Sequence, residues 1–174
     1  MNNVFVIDDF LNESQYNYWI DVLENSWFKR NSTSLPNSKY YIWRSPLDEN
    51  FLNDNFLIKQ CIEEIKNKFN KNYVLISGHI NAQESNNITE FHPDSLDNHI
   101  TGILFLIKEK EWDDNWGGET VFKTDNEYKY VMPKRKRLIL FDSRVKHMGR
   151  STQQQYLNAR YTLALNFKLS DKNE

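Results

Sequence analysis

The chain has 174 residues, 39% hydrophobic and 14% aromatic, a composition that suits one packed domain and excludes a disordered one. Its 22 basic and 24 acidic side chains nearly balance, at a formal net charge of -2, so neither nucleic acid nor an anionic membrane is expected as a bulk electrostatic partner. Cys61 is the only cysteine, which excludes an intrachain disulfide and a cysteine-based zinc cluster.

Val4 to Ile7 is a short apolar run that reads as a strand. Asn12 is a plausible N-cap for a first helix, with Tyr16, Trp19, Ile20, Leu23 and Trp27 at helical spacing. A second amphipathic stretch runs from about Asn53 to Phe69, with Ile58, Cys61, Ile62, Ile65 and Phe69 on one stripe. Cys61 is therefore read as a small core residue.

From Tyr73 the period shortens. Strands are expected at Tyr73–Ile80, Thr101–Ile107, Thr120–Phe122, Tyr128–Met132, Leu138–Asp142 and Tyr161–Leu169. Turn-forming clusters separate them at Glu84-Ser85-Asn86-Asn87, Asp113-Asp114-Asn115 and Gly117-Gly118. The basic run Lys134-Arg135-Lys136-Arg137 reads as a solvated turn before an apolar strand, not as a phosphate-binding patch. Many short strands preceded by two helices define an α+β class built on an antiparallel sandwich or barrel. No repeat or linker divides the chain. A single domain over 1–174 is expected, with 1–72 as helical support and 73–169 as the β core. No stretch approaches the ~18 apolar residues of a membrane span, and no positively charged leader opens the chain, so a reduced, cytoplasmic protein is expected.

Phe91-His92-Pro93-Asp94 contains a His-x-Asp pair, and His147 follows 55 residues after His92. Two imidazoles and one carboxylate make the facial triad that holds non-haem Fe(II) and leaves positions open for other ligands. On an extended backbone His92 and Asp94 point the same way. The pair alone is a weak signal, since a surface turn and a histidine at a strand end read the same. Arg160 strengthens it. It opens the last strand, where Arg160, Thr162, Ala164 and Asn166 share a face too small and polar for core. Tyr161, Leu163, Leu165 and Phe167 share the other. A strand lining a small-molecule cavity has this pattern, and a guanidinium there can hold a carboxylate bidentately. An edge strand with a solvated polar face has the same pattern.

Taken in order, several landmarks resemble the prolyl 4-hydroxylase-like group of Fe(II)/2-oxoglutarate dioxygenases. They are His92-Pro93-Asp94-Ser95, the strand Thr101–Ile107, Trp116-Gly117-Gly118-Glu119-Thr120 after Trp112, Arg137 to Asp142, His147, and Arg160-Tyr161-Thr162-Leu163. The resemblance covers about Tyr73 to Leu169 and implies a double-stranded β-helix of the jelly-roll or cupin-like kind, with N-terminal supporting helices. It implies iron on His92, Asp94 and His147, and 2-oxoglutarate anchored by Arg160 with Thr162 beside it. O2 would complete the reaction, which decarboxylates 2-oxoglutarate to succinate and hydroxylates a substrate. The carboxylate of Asp94 fills the position a halide would need, which favours hydroxylation over halogenation.

Two departures stand out. Arg160 lies thirteen residues after His147, farther than the group often places its anchor, so Ser151 to Asn158 would form a lengthened loop. Arg150 is the competing anchor, but only three residues from His147 it would sit too near the metal. Where the group tends to place an aromatic hydroxyl, this chain has His79 and Asn81. Asn81 is a candidate amide ligand for 2-oxoglutarate, whereas His79 and His99 read as structural. Trp43, Arg44, Trp112 and Trp116 fall in expected loops, as a substrate groove or as plugs over the barrel. The fold accepts protein, amino-acid and other substrates, so a prolyl or other peptidyl residue is an expectation from resemblance alone. A cupin-like metal enzyme without 2-oxoglutarate and a non-catalytic β-sandwich binding module are the alternatives.

Overall fold

The computed structural model describes residues 4–32, 41–85, 87, 89–124 and 127–170. The chain opens with strand β1 (Val4–Ile7) and then helix α1 (Glu13–Glu24). Asn12 caps α1 as its side chain predicts. Its Oδ1 accepts from the Gln15 amide while the Gln15 side chain accepts from the Asn12 amide, a reciprocal capping box. Tyr16, Trp19 and Leu23 are buried along one stripe. Trp27 is not part of it. The helix stops at Glu24 because Asn25 and Ser26 donate their side chains to the carbonyls of Asp21 and Val22, and Trp27 is left 88% exposed.

Strands β2 (Lys29–Ser32) and β3 (Tyr41–Pro46) come next, where loops were expected. The first 72 residues therefore supply strands as well as helices. The second helical stretch is split. Asp48 caps α2 (Glu49–Asn53), and Asn55 caps α3 (Phe56–Phe69) by accepting from the Leu57 amide. Cys61 is fully buried on α3.

The β core comprises β4 (Tyr73–Gln83), β5 (Ile100–Leu106), β6 (Thr120–Lys123), β7 (Tyr128–Val131), β8 (Leu138–Asp142), β9 (Lys146–Gly149) and β10 (Arg160–Leu169). They form a seven-stranded sheet, ordered β1-β8-β5-β10-β4-β3-β2, and a three-stranded sheet, β7-β6-β9. Every pairing is antiparallel. Asn86, in one of the expected turns, lies outside the described residues.

Side-chain parity builds two layers on the large sheet. Leu104, Leu106, Leu138, Leu140, Leu163 and Leu165 pack under the helices with Trp19, Leu57 and Ile65. Ile103, Phe105, Ile139 and Phe141 face the small sheet, where Phe122 and Val131 meet them. The fold's interior therefore opens between the two sheets. The basic run forms the turn between β7 and β8, and its four cations pair with acids of the first turn of chain. Lys134 and Arg137 hold Asp8, Lys136 holds Asp9, and Arg135 holds Glu13. No helix among the described residues is long and apolar enough to cross a membrane.

Candidate active site

His92, Asp94 and His147 converge although they come from two separate segments. His147 lies on β9, and the backbone of His92 bridges to it through two reciprocal N–H to carbonyl bonds of 3.0 Å. This pins the His92–Asp94 loop against the small sheet. The imidazole centroids are 4.8 Å apart, and one donor atom from each of the three side chains lies within 4.8 Å of the others. A single metal ion fits such a set.

The surroundings of the triad fix which atoms face it. Nδ1 of His92 is 2.8 Å from the Glu90 carbonyl, and Nδ1 of His147 is 3.0 Å from the Val145 carbonyl. A carbonyl only accepts, so each Nδ1 carries the proton and each Nε2 keeps its lone pair for a metal. Those Nε2 atoms face Asp94, at 3.7 Å from its Oδ1 and 3.5 Å from its Oδ2. Asp94 is oriented by Thr101, whose hydroxyl donates to Oδ2 at 2.8 Å and contacts the Ser143 hydroxyl at 2.8 Å. Phe122 and Phe141 wall His147. Burial, ahead of the opposing pull of Asp94, pushes the His147 pKa down, which keeps the ring neutral.

The triad lines one end of a cavity of about 300 Å³ between the sheets. Arg160, Thr162 and Asn81 line it too. Arg160 is 5% exposed, yet among the described residues no carboxylate lies within ion-pair distance of it. It donates to the Thr120 hydroxyl at 2.7 Å and to Gln83 Oε1 at 3.4 Å, and its Nε is buried without a partner. Loss of water pushes its pKa down to about 10, a sign that this charge lacks a full counterion. Space around it is tight by design of the chain. A Cβ on Gly149 would come within 3.0 Å of Arg160 Nη1, and one on Gly118, held at φ +78°, within 3.2 Å of its Cδ.

Register explains the grouping. Asn81 pairs with Thr162 and Gln83 with Arg160, so β4 and β10 present four polar side chains to the same face. Arg150 is elsewhere: half exposed, it pairs with Glu119 at 2.8 Å. Ser151 to Asn158 is ordered by Gly117 bridging to Thr152 and by Tyr156, whose ring packs on Trp112 and Trp116. Neither tryptophan lines the cavity. Trp43 also stays outside it, whereas Arg44 and His79 line it. Thr101, Ser143, Gln83 and Thr120 were not singled out from sequence.

The profile of the 2OG-Fe(II) oxygenase superfamily matches residues 76–168, more than half of the chain, and the protein belongs to that superfamily. It is thus an Fe(II)/2-oxoglutarate-dependent oxygenase, a class that uses Fe(II), 2-oxoglutarate and O2, and the non-catalytic and 2-oxoglutarate-independent alternatives fall away. No curated protein matches the sequence. Solved structures resemble it in fold. A 2OG-Fe(II) oxygenase family oxidoreductase from Burkholderia pseudomallei superposes with a TM-score of 0.75 at 13% identity, covering 95% of this chain and 84% of that one. A Trichoplax adhaerens prolyl hydroxylase, in complex with a hypoxia inducible factor oxygen degradation domain peptide fragment, gives 0.69 at 18% identity over 96% and 84%. HygX from Streptomyces hygroscopicus, with nickel, 2-oxoglutarate and hygromycin B bound, gives 0.70 at 10% identity over 99% and 85%. The two facing sheets are accordingly those of a double-stranded β-helix.

Proposed function

We propose that this protein is a hydroxylase in which His92, Asp94 and His147 hold Fe(II) and Arg160 pairs with the far carboxylate of 2-oxoglutarate. The observation that carries the reading is a buried, unpaired guanidinium in the cavity that also holds the triad. A charge without water or counterion is expensive, and a bound dicarboxylate supplies the missing partner. Thr162 lies one pleat repeat along the same face as Arg160, where its hydroxyl can donate to the same carboxylate. Asn81 stands across from Thr162, and its Oδ1 already accepts from Arg44, so its amide N–H groups are the ones offered to the co-substrate.

Bound Fe(II), with 2-oxoglutarate and O2, supplies oxidative decarboxylation to succinate and CO2 and transfer of an oxygen atom to a carbon of the substrate. The chain's own contribution is position. Backbone carbonyls fix both imidazole tautomers, Thr101 aims Asp94, and Phe122 and Phe141 exclude water behind His147. The substrate is a peptidyl residue, prolyl among them, or a small molecule, and the structural neighbours include proteins with each kind bound.

Anaerobic addition of Fe(II) and 2-oxoglutarate to metal-free protein tests this. A visible charge-transfer band is expected in the wild type and absent in His147→Ala. A folded wild type with no band refutes the assignment.

A further inference from the structure

The cavity contains a second cation that neither the triad nor the 2-oxoglutarate anchor uses. Arg44, on β3, is more than half buried and lines the cavity. Its Nε donates to Asn81 Oδ1 at 3.2 Å, which holds the guanidinium in place and leaves its two Nη groups for something else. Among the described residues no carboxylate reaches it within ion-pair distance. Asp94 shares the cavity, but its oxygens are turned toward the two histidines.

The next strand adds to the charge. Lys29, on β2, sits directly opposite Arg44 in the register. Directly opposed residues of an antiparallel pair share a face with Cβ atoms about 5 Å apart, and like charges there repel. Lys29 is exposed at that edge, and no ion pair relieves it among the described residues. The two strands thus carry two cations on one face, Arg44 lining the cavity and Lys29 exposed outside its lining.

Arg44 enters the cavity from a different strand and level than Arg160. Arg44 aligns with Asn81 and Thr162, whereas Arg160 aligns with Gln83 one pleat repeat away. Two strand spacings and one pleat repeat put their Cα atoms roughly 12 Å apart. The Arg44 side of the cavity is also the side from which Asp94 acts electrostatically on it. An anion on Arg44 would therefore lie beside the metal site, where the substrate has to be.

We propose that Arg44, assisted by Lys29 at the edge, binds a carboxylate of the substrate, so that this oxygenase acts on an acid. The inference rests on the reading of the cavity given above. A planar guanidinium fork matches a carboxylate bidentately. A cavity of about 300 Å³ that also takes the co-substrate leaves room for little beyond a small acid or one side chain. The carboxylate has two sources, a free acid such as an amino acid or an acidic residue or C-terminus of a peptide.

Calorimetry on the Mn(II)–2-oxoglutarate form separates them, because manganese holds the complex without turnover. The probes are the free L-amino acids with their amides, and short peptides bearing or lacking a terminal carboxylate or an acidic side chain. At least one carboxylate probe is expected to bind, with its amide at least tenfold weaker. Arg44→Gln should weaken that probe about tenfold or more, Arg44→Lys less, and Lys29→Gln about threefold. Because Arg44 reaches the co-substrate only through Asn81, Arg44→Gln should raise the 2-oxoglutarate half-saturation of the iron band several-fold less than it weakens the acid probe. Circular dichroism confirms that each variant is folded, and Arg44→Lys keeps the charge if Arg44→Gln does not fold. Equal binding of acids and amides, a phosphorylated probe that outcompetes every carboxylate, or no acid binding overturns the inference while the iron band stays intact. So does an Arg44→Gln variant that loses 2-oxoglutarate itself. A wild type without the band refutes the parent reading instead, and this inference with it.

Discussion

Replacing Arg160 by methionine should do opposite things to the protein alone and to its complex. The guanidinium is fully buried, and loss of water pushes its pKa down from the ordinary arginine value to about 10. A gap of that size corresponds to roughly 3 kcal/mol carried by the folded state. The sign follows from proton binding. The unfolded chain holds the Arg160 proton more tightly, so the cost is present in full below pH 10 and is relieved only as pH rises past about 10. Methionine fills much of the same volume without the charge. The hydrogen bonds to Thr120 and Gln83 are lost, which takes back part of the gain. A net gain of roughly 1–2 kcal/mol raises the melting temperature of ligand-free Arg160→Met by about 5 °C.

With 2-oxoglutarate the order reverses. Truncating one partner of a buried charge pair costs about 2–5 kcal/mol of binding, so half-saturation should rise about a hundredfold or more. At a co-substrate concentration a hundred times its wild-type dissociation constant, the wild type gains about 2.7 kcal/mol and the variant almost nothing. Differential scanning fluorimetry with and without 2-oxoglutarate reads both effects, so the two melting curves should cross. A variant that melts well below the wild type without ligand would show that Arg160 is structural. A variant that binds 2-oxoglutarate as the wild type does would refute the anchor outright.

Thr101→Val removes the hydroxyl that donates to Asp94 Oδ2, and metal affinity should fall about 10- to 100-fold, measured by competition with a chromophoric chelator. A change under twofold would mean that the Asp94 rotamer is held by other groups. His79 gives a pH signature in the metal-free protein. Burial first, and Arg44 second, lower its pKa to about 4, so the unfolded chain binds the proton more tightly. Stability is therefore present in full above about 6.5 and is lost as pH falls from there to about 4, by roughly 3 kcal/mol. Urea titrations across that range should show the slope in the wild type and a flatter one in His79→Gln. Identical slopes would place the acid sensitivity elsewhere.

The triad and Arg160 were legible because each carries its chemistry in a short stretch of chain. His92 and Asp94 are two residues apart, and Arg160 announces itself through the alternation of its own strand. The two departures from the family pattern also have local causes. The loop from Ser151 to Asn158 delays Arg160, and Tyr156 within it packs on the tryptophans that the sequence left between groove and plug. What sequence did not reveal depends on register. Thr101 looks like any strand-opening threonine until β5 and the Asp94 loop meet at Ser143. The polar run at Lys29–Ser32 has little strand propensity of its own and becomes β2 because β3 pairs with it.

One signal was present and only half used. On β10, Arg160, Thr162, Ala164 and Asn166 were read as a cavity face because they are small or polar opposite large apolar neighbours. The same parity holds on β4, where His79, Asn81 and Gln83 face the cavity and Ile80 and Ala82 are buried on the reverse. On β3 the alternation persists without a polar face, since apolar Ile42 lines the cavity beside Arg44 while Trp43 does not. Adjacent strands that each keep a polar face within an otherwise apolar sheet can satisfy those groups only by turning them to a shared interior. Applied to β4 and β10, that argument reaches Gln83 from the sequence, and with it the end of the cavity proposed to take the co-substrate. Arg44 joins them only through the pairing of β3 with β4, at the end proposed to take an acid.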